Sequence, residues 1–77
     1  MHRRRRGTVV SFDEHRGLGL VRDDETGESF PFHCTAITDG SRRVDEGAAV
    51  AFVVRPGHLG RWEAGLVEKA SENQAPD

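Results

Sequence analysis

Arg16-Gly17-Leu18-Gly19-Leu20-Val21-Arg22 and, after an acidic interval, Ser29-Phe30-Pro31-Phe32-His33-Cys34 are the stretches on which the fold turns. Both alternate with a period of two, the mark of a half-buried strand. In the first, Leu18, Leu20 and Arg22 share one face while Gly19 and Val21 share the other. In the second, Phe30 and Phe32 face one way, and Pro31 and His33 the other; two aromatics on one side argue for a core. Asp23 to Gly27 between them supplies Asp and Gly for turn dihedrals and acids that pair poorly in a ladder, so the two strands read as a hairpin. Pro31 has no N–H to donate, which puts its strand at an edge or turns the missing donor toward solvent.

Working outward, Thr8-Val9-Val10-Ser11-Phe12 is β-branched and aromatic behind Gly7 and reads as a first strand. Asp13 to Gly17 is a polar turn. Thr35-Ala36-Ile37 reads as a short helical turn or an apolar plug, and Thr38 to Gly47 as a long polar connection. Ala49 to Arg55 is expected as a fourth strand with Val50, Phe52 and Val54 inward, and Arg61 to Glu68 as a fifth. Residues 71–77 have the composition of a frayed tail. The expected organisation is a basic flexible arm over 1–6, one domain over 7–70 and a disordered tail over 71–77.

A chain of 77 residues and 8.5 kDa holds one small domain and excludes a multi-domain enzyme. Five short strands without an amphipathic helix bury their apolar faces best by closing on themselves. The fold class expected is therefore all-β, a five-stranded Greek-key barrel, although periodicity alone also fits an SH3-like barrel. The one cysteine, Cys34, forms no internal disulfide. No stretch approaches the roughly 18 apolar residues of a membrane span, and no apolar region follows the opening MHRRRR as a secretory leader requires. A reduced, cytoplasmic setting is expected. The net charge of -2 hides an asymmetry: Arg3, Arg4, Arg5 and Arg6 stand together, and residues 7–77 carry seven basic side chains against thirteen acidic ones. Such an arm suits phosphate contact through counterion release, or it answers the acids of its own chain.

The order of segments from Gly7 onward resembles the bacterial cold-shock domain, an OB-fold barrel that binds single-stranded RNA and DNA. The resemblance is carried by G-T-V-V-S-F at 7–12, R-G-L-G-L-V at 16–21, F-H-C-T-A-I at 32–37, V-D-E-G at 44–47, V-A-F at 50–52 and A-G-L-V at 64–67. R-G-L-G-L-V looks like the family's first ribonucleoprotein motif, and F-P-F-H-C resembles its second. The family works by stacking bases on outward aromatics, each worth about 1–3 kcal/mol, beside a basic groove. Here Ser11 stands where the family has Trp, Leu18, Leu20 and Pro31 where it has outward Phe, Cys34 at its last Phe and Val10 at a lysine. Phe12, His33 and Arg16 match platform or groove positions, and Phe30 and Phe32 fall on inward valines.

The resemblance implies a non-enzymatic binder of single-stranded RNA or DNA, weak and of low sequence specificity, acting as an RNA chaperone or regulator of gene expression. Electrostatic capture falls to Arg3, Arg4, Arg5, Arg6 and Arg16, stacking to Phe12 and His33, and apolar contact to Leu18 and Leu20, with Trp62 partly replacing the lost rings. The alternative is a protein-docking or self-association surface along Val10, Leu18, Leu20 and Pro31. Catalysis has little support: Cys34 adjoins His33, but strand neighbours point to opposite faces. His15, His33, Cys34 and His58 are too scattered for a metal site, and no cofactor is expected.

Overall fold

The computed structural model describes residues 3–70 of the chain; the expected tail at 71–77, like Met1 and His2, lies outside them. Five antiparallel strands, β1 (Arg5–Asp13), β2 (Leu18–Asp23), β3 (Ser29–His33), β4 (Ala49–Pro56) and β5 (Trp62–Lys69), form one sheet in the order β3-β2-β1-β4-β5. After the β1–β2–β3 meander the chain returns to pair β4 against β1, a Greek-key path. Its two edges meet through a parallel bridge of Ile37 to Val67, where the Thr38 N–H donates to the Val67 carbonyl at 2.9 Å, and not through a full strand ladder. Thr35-Ala36-Ile37 resolves into both of its expected readings: a 3-10 turn over Cys34–Ala36, then Ile37 as a buried plug.

The alternation sets the core. Val9, Val21, Phe30, Phe32 and Phe52 point inward and are buried together with Ile37, Val50 and Val67. Burying each such side chain stabilises by about 1.5–3 kcal/mol, enough between them to hold a thin barrel. Phe30 and Phe52 meet at 6.1 Å between ring centroids with planes tilted 51°. Gly7 is required here, because a Cβ would fall 2.5 Å from the Arg22 carbonyl oxygen and 2.7 Å from the Phe52 ring.

Pro31 is accommodated as its chemistry demands. β3 is an edge strand. The Asp23 N–H donates to the Glu28 carbonyl at 2.7 Å and the Cys34 N–H to the Gly17 carbonyl at 2.8 Å, so the intervening Leu20–Pro31 pair is a non-hydrogen-bonded one. The proline's nitrogen therefore points off the sheet.

Two bulges depart from strict alternation. One extra residue, Val10, sits between the Val9–Val21 and Ser11–Leu20 pairs. The other lies in β5 opposite Ala51 and Val53, with Leu66 at φ 47°. That shift bends β4 so that Phe52 and Val53 are both buried and Val54, expected inward, is only partly so.

The start of β1 also differs from expectation: Arg5 and Arg6 belong to the strand and not to a free arm. Asp23, only 2% exposed, supplies the reason. Its carboxylate accepts from the Glu25 N–H at 2.7 Å and the Thr26 N–H at 3.1 Å, which closes the β2–β3 loop, and from Arg5 Nη1 at 2.9 Å. Burial pushes this carboxyl up, but the two amides and the Arg5 guanidinium outweigh that and hold it below the ordinary carboxylate range. The guanidinium also lies 5.5 Å from the centroid of Phe30, a cation–π contact.

Candidate nucleic-acid interface

The solvent face of β1–β3 is the complement of the core pattern. Ladder register sets Leu18 between Asp13 and His33, Leu20 between Ser11 and Pro31, and Arg22 between Thr8 and Ser29. Leu18 is 47% exposed and Val10 45%, while Leu20 is half-buried and Pro31 and His33 are exposed. The residues named from the two motifs are thus brought together as one apolar strip ending at an imidazole.

Phe12 differs. The Val10 bulge turns it to the inner side opposite Gly19, where it is half-buried and lies parallel to Phe32, centroids 6.0 Å apart and planes at 14°. A Cβ on Gly19 would strike the Phe32 ring and stand 2.9 Å from Phe12 Cδ1, so this glycine makes the space for the pair. Phe12 still lines a shallow groove with Ser11, Leu18 and Leu20, whose rim carries Asp13, Glu14 and Glu46. It is half-buried, with one face of its ring stacked on Phe32.

His33 and Cys34 correct the sequence reading. The strand ends at His33 and the 3-10 turn begins at Cys34, so alternation stops between them and Cys34 Sγ comes 3.8 Å from His33 Nδ1. The ring is the turn's cap: Nδ1 accepts the Thr35 N–H at 3.2 Å, and Thr35 Oγ1 lies 2.9 Å away. Thr35 was not singled out from sequence, and no residue there marks the contact, since histidine is not among the usual capping side chains and the bond it accepts comes from the backbone. Among the described residues no group of three or more His, Cys, Asp or Glu gathers as a metal site.

The charges follow the second of the two readings of the arginine run, that it answers acids of its own chain. Arg4 pairs with Glu68, Arg5 with Asp23 at 2.9 Å and Glu28 at 3.8 Å, and Arg3 stands 4.0 Å from Glu25. Three of the four arm arginines are thus answered by acids of the same chain. Arg22, beside Asp23 and Asp24 in sequence, pairs with neither: Asp23 is taken by Arg5, and Asp24 accepts from the Thr8 hydroxyl at 2.8 Å. Arg6, Arg16 and Arg22 form no ion pair among the described residues. Arg16 is fixed at its backbone, since the Asp13 carboxylate accepts its N–H at 3.2 Å and that of His15 at 3.0 Å.

Trp62, 58% exposed, opens β5 and stacks on no other aromatic ring among the described residues. It lies outside the β1–β3 ladder. The parallel Ile37–Val67 bridge runs β5 in the same direction as the chain leaving β3.

Comparison with known proteins agrees with this architecture. Residues 5–70 match the family model of the 'cold-shock' DNA-binding domain. The chain is 36% identical over 62 residues to cold shock-like protein CspG of Shewanella violacea, spanning 89% of that protein, and 38% identical over 65 residues to cold shock protein CspC of Bacillus subtilis, spanning 96% of it. It is also 37% identical to glycine-rich protein 2 of Nicotiana sylvestris, but spans only 29% of that protein's length. Among solved structures, Drosophila Unr CSD456 superposes with a TM-score of 0.74 at 30% identity, covering 96% of this chain and 29% of that one. Sequence, strand order and superposition converge: the chain belongs to the cold-shock domain family and has its all-β OB-fold.

Proposed function

We propose that this protein binds single-stranded RNA or DNA across the solvent face of β1–β3, non-enzymatically, with low affinity and slight sequence preference. The observation that carries the reading is an apolar strip ending at His33 on the face that also carries Arg22, with Arg16 in the turn leading into β2; among the described residues neither arginine forms an ion pair. Arginine attracts the phosphates, and Leu18, Leu20, Pro31 and His33 receive the bases. Trp62 extends this floor across the seam. Arg6 joins the capture, while Arg3, Arg4 and Arg5 contribute less because a phosphate has to displace Glu25, Glu68 or Asp23 first.

Two features support weak, unselective binding. Leucine and proline replace stacking rings worth about 1–3 kcal/mol per base. The chain's one Asn and one Gln, at 73 and 74, lie outside the described residues, so the barrel itself has no carboxamide to read a base edge. Family membership supports a role in handling RNA during gene regulation in the cytoplasm. Fluorescence anisotropy of labelled heptathymidine and a mixed RNA heptamer, with quenching of Trp62, tests the reading at two salt concentrations. The expected dissociation constants lie between about 1 μM and 1 mM and rise with salt; no binding at low salt contradicts the reading. The exposed strip through Val10, Leu18 and Pro31 favours a second reading, a protein or self-association surface, which predicts concentration-dependent mass without nucleic acid.

A further inference from the structure

We propose that His33 recognises its ligand as a hydrogen-bond donor, through an Nε2–H fixed by the turn that follows it, and not only as a ring for stacking. The inference rests on the nucleic-acid reading above. A neutral imidazole carries its proton on one nitrogen, and the partner of the other nitrogen decides which. Here the partner is unambiguous: a backbone N–H, that of Thr35, points at Nδ1 from 3.2 Å, and a backbone amide only donates. The Thr35 hydroxyl at 2.9 Å and the Cys34 thiol at 3.8 Å are also able to donate to the same atom. Nδ1 is therefore the acceptor and Nε2 carries the hydrogen.

The same contact fixes the ring's direction. With Nδ1 turned into the cap, Nε2 lies on the opposite edge of a side chain that is exposed at the end of β3, and it has no hydrogen-bond partner among the described residues. A donor held this way loses little freedom when it meets an acceptor. On a face where Leu18, Leu20 and Pro31 offer no polar group, it is a neutral donor of fixed direction at the end of the apolar strip, apart from the freely rotating hydroxyls of Ser11 and Ser29. The acceptor it fits is an oxygen of the bound strand, on a phosphodiester or on a base carbonyl.

Nitrogen-15 NMR of the free protein tests the first half. Nδ1 is expected to resonate as the unprotonated nitrogen, and a protonated Nδ1 in the neutral ring overturns the proposal. Titration with heptathymidine tests the second half. His33→Phe keeps a ring to stack but loses the donor, and is expected to bind about three- to tenfold more weakly than the wild type; equal or tighter binding overturns the proposal. His33→Asn separates donation from capping, because its Oδ1 is able to accept the Thr35 N–H while its amide is too short to reach the place of Nε2. It is expected to melt like the wild type and, having lost the ring as well as the donor, to bind at least as weakly as His33→Phe; wild-type affinity overturns the proposal. Heptathymidine with a methylphosphonate at each linkage in turn distinguishes the acceptors: one position that removes the His33 penalty identifies a phosphate, and a penalty kept throughout identifies a base carbonyl. If wild-type protein fails to bind any oligomer, the nucleic-acid reading and the donor's role fall together. Binding unaffected by His33→Phe removes this inference alone.

Discussion

The inner and outer faces of β1–β3 are made by alternate residues of the same three strands, yet they carry different chemistry. Inside, Val9, Val21, Phe30 and Phe32 form a packed apolar layer. Outside, Ser11, Leu18, Leu20 and Pro31 stand where rings are expected for strong base stacking, and the charged or ring-borne polar groups of that face are Arg22 and His33. A period of two lets these faces vary separately: the core requires volume and fit, whereas the outer face answers only to its ligand. The family's architecture therefore survives beneath an outer face whose exposed side chains are aliphatic at positions where the family carries rings.

The largest effect should come from the inner face. Phe52→Ala is expected to cost about 3–5 kcal/mol, read as a large fall in the urea midpoint, because Phe52 is fully buried and meets Phe30. A loss below about 1 kcal/mol would show that the core is not what holds the barrel.

Next comes the hinge between the faces, Asp23. Asp23→Ala leaves the Glu25 and Thr26 amides and Arg5 without their acceptor and is expected to cost about 1–3 kcal/mol. The same group sets the acid response. Its folded-state pKa is lowered from 3.8, so its stabilisation is present above that value and is lost as pH falls through the lowered one. Asp39, lowered to about 2 by its hydrogen bond with the Lys69 ammonium and the Ser41 contacts, titrates in the same direction. Denaturation midpoints should be flat above about pH 5 and drop as pH falls below about 4, with a shallower drop in Asp23→Asn. A midpoint that rises on acidification would reverse the assigned sign.

On the outer face, Arg22→Ser is expected to leave stability within about 0.5 kcal/mol and to reduce the log–log salt slope of oligomer binding by about 0.7, the value for one single-strand phosphate contact. Arg3→Ser, at a residue already near Glu25, should change that slope less. If the two substitutions act equally, the division between answered and unanswered arginines is wrong. The smallest effect lies away from both faces: Leu66 at φ 47° pays for a left-handed conformation that glycine adopts freely, so Leu66→Gly should raise stability by about 0.5–1 kcal/mol in urea melts.

The strands were legible because Leu18 to Arg22 and Ser29 to His33 alternate cleanly and Pro31 announces an edge. The bulges were not, since neither Val10 nor Leu66 is a residue that marks one; ladder register places them. The candidate site was readable as positions sharing a face, but the partners of its charged groups were not. Nothing in the order of residues tells that Asp23 takes Arg5 and not its neighbour Arg22, or that the strand stops at His33 so that Cys34 Sγ lies 3.8 Å from its ring nitrogen. Phe12 moved inward for the same reason, because one bulged residue reverses the sense of every side chain beyond it.

The central claim is that this face still binds a single strand and binds it weakly for want of rings. Titration of heptathymidine at low salt, wild type against the Leu18→Phe/Leu20→Phe double variant, tests it most directly. Both side chains point to solvent or half to solvent, so the variant should fold with unchanged stability and bind at least about tenfold more tightly. An unchanged affinity in the folded double variant would contradict the claim and take the interface away from this face.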